Sequence, residues 1–88
     1  ISPNSFKAHF YFANALFTLG KLDEAIDAYR QAVKISPGNV PLLTNLGLAY
    51  MQKKDYENAK ATFNQILQIE PQNKVAQDHL NLIRNIGK

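Results

Sequence analysis

Apolar residues recur along the chain at intervals of three and four, the spacing that places side chains on one face of an α-helix. One such stripe contains Ala25, Tyr29 and Ala32, and another contains Ala59 and Phe63. The two-residue alternation of a half-buried strand is not sustained beyond a few positions. The pattern therefore predicts an all-α fold in which each helix buries one apolar stripe against its neighbours.

Capping and helix-breaking residues divide the chain into five predicted helices. Ser5, Asn39 and Asn73 stand where a side chain can cap a helix by accepting a backbone N–H. Gly20 can supply the left-handed residue that follows the first helix, and proline ends a helix because its ring cannot extend the hydrogen-bond ladder. The predicted helices span residues 6–19, 22–35, 40–53, 56–69 and 74–85.

A period of 34 residues organises these helices. Pro3, Pro37 and Pro71 are spaced by 34 residues, and each follows a similar dipeptide, Ile-Ser or Ile-Glu. Self-similarity at a fixed interval is the signature of a helical repeat array. The predicted units are residues 1–5 as the remnant of a preceding repeat or cap, 6–39 and 40–73 as two repeats, and 74–88 as a C-terminal capping helix. Because the first residue is isoleucine and not methionine, we expect the chain to be a piece of a longer protein.

The second copy resembles the tetratricopeptide repeat family. Its matching residues follow the family signature in the order Leu46, Gly47, Tyr50, Ala59, Phe63 and Pro71. The first copy matches less fully, because His9, Ala13 and Leu16 stand where the family has a large aromatic residue, glycine and tyrosine. The resemblance implies a right-handed α-α superhelix of two helix-turn-helix repeats plus a capping helix. The first helix of each pair would line a concave face.

The composition excludes much chemistry. The 88 residues include no cysteine, so a disulfide framework, a cysteine zinc site and a thiol nucleophile are all absent. The two histidines fall in different repeats without metal-ligand spacing, and we expect His9 to be a packed aromatic substitute. Isolated glycines form no phosphate-binding loop, and no apolar stretch is long enough for a bilayer. We therefore expect no enzyme activity, cofactor, bound metal or membrane insertion, and the compartment stays open.

The resemblance places candidate binding residues on the concave face. Asn14 and Asn45 match the paired asparagines with which family members hold a ligand's backbone, since one amide offers a donor and an acceptor. Aromatic and other apolar residues would line the groove, unless they pack against each other or a preceding repeat. For His79, ligand contact and plain solvation both stay open. The predicted ligand-binding set is Lys7, Phe10, Tyr11, Asn14, Phe17, Asn45, Leu48, Met51 and His79.

The same comparison specifies the kind of partner. Family members that clamp the C-terminal carboxylates of chaperones add three basic side chains, and here the corresponding positions hold Phe10, Val75 and Asp78. Because those basic residues are missing, the resemblance favours an apolar protein segment, either an extended peptide or an amphipathic helix, over a chaperone tail. The predicted function is that of a scaffold or adaptor module that binds a protein partner.

Two alternative functions fit parts of the sequence. The exposed end faces or the groove could pair with another copy, which would make the chain a homo-oligomerisation module. The net charge of +3 suggests nucleic acid, but only Lys53 and Lys54 are adjacent, and Asp55 and Glu57 lie beside them. The RNA-binding pentatricopeptide family has a period nearer 35 and lacks the helix-ending proline. Nucleic acid binding is therefore disfavoured.

Overall fold

The computed structural model describes residues 6–86, and in this range it contains five α-helices and no strand. The helices are α1 (Phe6–Thr18), α2 (Leu22–Ile35), α3 (Val40–Gln52), α4 (Tyr56–Ile69) and α5 (Lys74–Ile86). The predicted all-α class is confirmed, and every helix boundary lies within one residue of its predicted position. The proposed cap at Ser5 lies outside the described residues.

Side-chain caps fix the starts of three helices. Asn39 accepts a hydrogen bond from the backbone N–H of Leu42 at 3.1 Å, and Asn73 accepts one from Ala76 at 2.9 Å. Both predicted caps are therefore confirmed. Asp55, which lies in the turn between α3 and α4, caps α4 in the same way. Each cap satisfies a backbone donor that has no partner within its own helix.

The helices form an elongated stack in which each helix packs against the next one in the chain. Contacts join α1 with α2, α2 with α3, α3 with α4 and α4 with α5, and α1 also touches α3. The stack measures 45 × 27 × 16 Å, the shape expected of a helical repeat superhelix whose core is built from neighbouring pairs. Its largest fully buried side chains are Tyr29, Phe63, Leu42, Leu43 and Ile66.

The turns within the two repeats share one unusual backbone conformation. Gly20 has a φ of +79°, and Lys54, which lies 34 residues further along, has a φ of 65°. The prediction for Gly20 is confirmed. A left-handed conformation suits glycine but brings the Cβ of other residues close to the backbone, at a cost of about 1–2 kcal/mol. The second turn therefore carries strain that the first does not.

We expect Lys54→Gly to raise the free energy of unfolding by about 0.5–1 kcal/mol, because it removes this strain from an exposed position. The reciprocal control is Gly20→Ala, which should lower stability by about 1 kcal/mol. A Cβ at Gly20 would meet no atom within 4 Å, so backbone conformation alone would produce that loss. Urea unfolding followed by circular dichroism measures both changes, and an unchanged Lys54→Gly midpoint would contradict the expected strain.

Candidate functional site

The two predicted groove asparagines meet where α1, α2 and α3 come together. Asn45 donates a hydrogen bond from Nδ2 to Oδ1 of Asn14 at 3.1 Å. The hydroxyl group of Tyr29 donates a second hydrogen bond to the same oxygen. The site therefore consists of two asparagines held by a tyrosine, and we call these three residues the asparagine cluster.

Burial of Tyr29 explains why the cluster is ordered. Its side chain is 1% exposed, and a buried hydroxyl must find a hydrogen-bond partner. Burial raises the pKa of Tyr29, and the neighbouring Asn45 side-chain amide opposes this rise in part. The hydroxyl is therefore protonated at neutral pH and acts as a donor. Because it donates to Oδ1 of Asn14, it fixes which way that amide faces.

This orientation leaves complementary groups available for a ligand. Both hydrogen bonds of Asn14 use its Oδ1 atom, so its Nδ2 group retains its N–H donors. Asn45 uses Nδ2 and retains the acceptor Oδ1. Within residues 6–86 these two groups have no hydrogen-bond partner, and both side chains are partly exposed. The cluster thus presents one amide donor and one carbonyl acceptor side by side.

The predicted apolar lining differs in exposure from residue to residue. Tyr11 is the most accessible, with 64% of its surface exposed. Its ring lies 5.7 Å from that of Phe10, which is also 6.3 Å from the ring of Tyr29. Lys7 is exposed. The remaining members are half-buried and pack against the core while keeping part of their surface accessible: Phe10, Phe17, Leu48 and Met51.

His79 packs against the neighbouring helix. Its ring stacks on Phe63 of α4, with centroids 4.9 Å apart and planes inclined by 19°. Its Nδ1 atom lies 2.8 Å from the carbonyl oxygen of Val75, an acceptor, so this nitrogen carries a proton. Half-burial and stacking do not fit the plain solvation considered for His79. In the described part of the chain, its side chain makes no contact with the asparagine cluster.

Val75 and His9 are less buried than residues of the core. Val75, at a position where a carboxylate clamp has a basic residue, is 44% exposed. His9, which we expected to pack as an aromatic substitute, is half-buried and, with Phe12, borders an open groove beside α2. The reason is that no described helix covers this side of α1.

The charged turn that contains Lys53 and Lys54, considered above as a site for nucleic acid, is partly neutralised. Lys53 forms an ion pair with Asp23, which connects the end of α3 to the start of α2. The hydrogen bond to Asp23 and the charge of that carboxylate raise the pKa of Lys53. Only one of the two adjacent lysines is therefore without an ion pair, and no basic stripe forms around this turn.

Residues 6–86 contain neither a candidate metal site nor a candidate membrane span. No three histidine or acidic side chains of this segment come together in a way that could hold a metal ion. None of its helices combines the length and apolar character needed to cross a membrane.

Comparison with known proteins identifies the repeat. The family model described as tetratricopeptide repeat matches residues 16–80. A chloroplastic tetratricopeptide repeat domain-containing protein of Arabidopsis thaliana, PYG7, is 38% identical over 65 residues, which cover 74% of this chain and 22% of that protein. The BBSome complex member BBS4 of Bos taurus is 44% identical over 54 residues, covering 61% of this chain and 10% of that protein. The chain thus spans less than a quarter of these relatives.

Solved structures show the same architecture. A crystal structure of MamA superimposes with a TM-score of 0.90 at 21% identity, covering 96% of this chain and 49% of that one. The first tetratricopeptide repeat domain of Spaghetti (RPAP3), bound to the HSP90 peptide SRMEEVD, gives a TM-score of 0.86 at 25% identity and covers 97% of this chain and 69% of its own. With the 34-residue period, the helix pairs and the family match, this chain belongs to the tetratricopeptide repeat family.

Proposed function

We propose that this domain binds an extended segment of a partner protein in the groove formed by α1, α3 and α5. The observation that carries this proposal is the asparagine cluster, which presents the Nδ2 donor of Asn14 beside the Oδ1 acceptor of Asn45. A peptide unit offers the complementary pair, a C=O acceptor and an N–H donor. Tetratricopeptide repeats are generally non-catalytic modules for protein–protein interaction, which agrees with this reading.

The cluster favours an extended ligand over a helical one. In the interior of an α-helix, backbone N–H and C=O groups are already paired with each other. An extended segment keeps both groups free, so it can use the donor and the acceptor together. The two asparagines would then fix the position of the main chain, and the partly exposed surfaces of Phe17, Leu48 and Met51 would contact its side chains.

The groove charges favour an apolar ligand. The Spaghetti domain is bound to a peptide with acidic residues near its C-terminus. In this chain Phe10 and Val75 are apolar at positions where a carboxylate clamp has basic residues, and Asp78 is paired with Lys74 at 3.0 Å. An acidic tail would therefore gain little charge pairing, whereas an apolar segment would bury accessible surface of the lining.

The test begins with peptides selected on the 88-residue chain from a random phage-displayed library and measured by isothermal titration calorimetry. We expect Asn45→Ala to weaken binding about two- to tenfold, since losing one hydrogen bond to a partly buried ligand costs about 0.5–1.5 kcal/mol. The double variant Asn14→Ala with Asn45→Ala should bind no detectable peptide. Asn64→Ala, an exposed asparagine on α4, is the matched control and should bind normally.

Circular dichroism of each variant separates binding from folding. Asn45→Ala leaves the hydrogen bond between Tyr29 and Asn14 in place, so its helicity and melting temperature should stay close to those of the parent. Unchanged peptide affinity in the double variant would contradict the proposal and exclude the asparagine cluster as the binding site. A loss of peptide affinity in the Asn64→Ala variant would place the binding site on α4.

A further inference from the structure

An apolar stripe on α1 has no covering helix in residues 6–86. The stripe consists of exposed residues at helical spacing: Ala8, Phe12 and Ala15 on α1, and Leu19 directly after it. Phe12 and Leu19 are 60% and 70% exposed. The residues 34 positions after the first three are Leu42, Leu46 and Ala49 of α3, and their exposures are 0%, 5% and 0%. The second repeat thus buries a face that the first repeat leaves open.

Acidic residues lie beside this open face. Phe12 and His9 border a groove of about 320 Å³ whose α2 side includes Glu24 and Asp27. Both carboxylates are exposed, and neither forms an ion pair in the described structure. We call Phe12, Glu24 and Asp27 the N-terminal face: an exposed aromatic ring next to two unpaired negative charges.

The other end of the stack carries a groove of the opposite sign. It lies between α4 and α5, has a volume of about 420 Å³, and is lined by Lys60, Asn64, Leu80, Ile83 and Arg84. Leu80 and Ile83 are half-buried apolar residues that pack against the core. Lys60 and Arg84 are exposed, and neither is ion-paired within the segment described. We call this set the C-terminal face.

We propose that copies of this chain associate head to tail, with the N-terminal face of one copy docked on the C-terminal face of the next. Phe12 enters the groove over Leu80 and Ile83, and the carboxylates of Glu24 and Asp27 meet Lys60 and Arg84. Charge complementarity selects this partner, because two N-terminal faces or two C-terminal faces would bring like charges together.

The geometry decides the kind of assembly. The two faces belong to the first and last helix pairs of a 45 Å stack in which helices contact their sequence neighbours, so they do not meet within one copy. A contact between two different faces leaves one of each kind free after every addition. Association therefore builds rows of copies whose length grows with concentration, and the asparagine cluster lies outside the contact.

The first experiment is sedimentation of the 88-residue chain across a range of concentrations and salt. We expect the average mass to rise with concentration and the dissociation constant to increase at least about tenfold from low to high salt, because exposed charges are screened. A mass that stays at that of the monomer under all conditions would overturn the proposal.

Two variants that replace the charged side chains of one face by neutral ones test whether the contact is head to tail. The first changes the N-terminal face by Phe12→Gln, Glu24→Gln and Asp27→Asn, and the second changes the C-terminal face by Lys60→Gln and Arg84→Gln. Each variant retains one native face, so each alone should be monomeric, whereas an equimolar mixture should form dimers and nothing larger. Self-association of either variant alone, or a monomeric mixture, would overturn head-to-tail docking.

Further controls separate this proposal from peptide binding. All five positions are exposed, so circular dichroism and melting temperature should be nearly unchanged in both variants. Exchanging the charges within one chain, with lysine at positions 24 and 27 and glutamate at positions 60 and 84, should restore association. The Asn45→Ala variant should associate like the parent chain, and a loss of association in it would place the contact in the groove instead.

Discussion

Phe63→Ala is expected to lower the free energy of unfolding by about 3–5 kcal/mol, a large part of the roughly 5–15 kcal/mol that stabilises a typical domain. Phe63 is completely buried, and its ring lies between the backbone of Gly47 on α3 and the ring of His79 on α5. Truncation would open a cavity that touches three helices. We therefore expect α3, α4 and α5 to lose their packing together.

The matched control for this substitution is Phe12→Ala. It removes the same atoms from a ring that is 60% exposed, so its effect should stay within about 0.5 kcal/mol. Urea unfolding followed by circular dichroism gives both values on the same scale. Similar losses of unfolding free energy for the two variants would contradict the expectation that the buried Phe63 contributes more to stability than the exposed Phe12.

The helices and their ends could be predicted because local signals agree with the packing. Asn39 and Asn73 cap helices in the structure as the sequence indicated, and Gly20 adopts the left-handed conformation that follows a helix. Cap chemistry and backbone sterics act over a few residues, so they can be read without knowledge of the tertiary structure. The 34-residue period then predicts that both repeats pair their helices in the same way, and α1 packs on α2 as α3 packs on α4.

The sequence could not give the environment of the asparagine cluster. Tyr29 and Phe63 are equivalent in the two repeats, and the pattern assigns both to the core. Only Tyr29 has a hydroxyl, and its bond to Asn14 joins residues 15 positions apart on different helices. Its role depends on the relative rotation of those helices, which periodicity does not determine. The free Nδ2 donor of Asn14 could therefore be recognised only from the structure.

The open face of α1 agrees with the exposed end faces considered from the sequence, but the 34-residue pattern does not identify its residues. Phe12 and Leu46 are equivalent by the 34-residue offset, so the pattern treats them alike. In the structure they are 60% and 5% exposed, because α2 packs on α3 and no described helix occupies the corresponding place beside α1. A repeat pattern describes the average unit, whereas the ends of a stack depart from it.

Gly47→Ala is expected to lower the free energy of unfolding by about 1–3 kcal/mol. In a helix this substitution ordinarily stabilises by about 1 kcal/mol, so the predicted sign is reversed. A Cβ at this position would lie 2.7 Å from Cζ and 2.8 Å from Cε1 of Phe63. That ring is fully buried and stacked on His79, so it has little room to move. Glycine is thus required for the close approach of α3 and α4.

Two comparisons isolate this contact by thermal and urea unfolding. Gly38→Ala is the control, because a Cβ at Gly38 meets no atom within 4 Å, and it should leave stability unchanged or raise it by up to about 1 kcal/mol. In a double-mutant cycle with Phe63→Leu, the shorter side chain should relieve the clash, so the double variant should lose less stability than the two single losses added. A stabilising Gly47→Ala would show that the separation of α3 and α4 adjusts to the methyl group. Strictly additive stability losses in the cycle would show that the methyl group and the Phe63 ring do not clash.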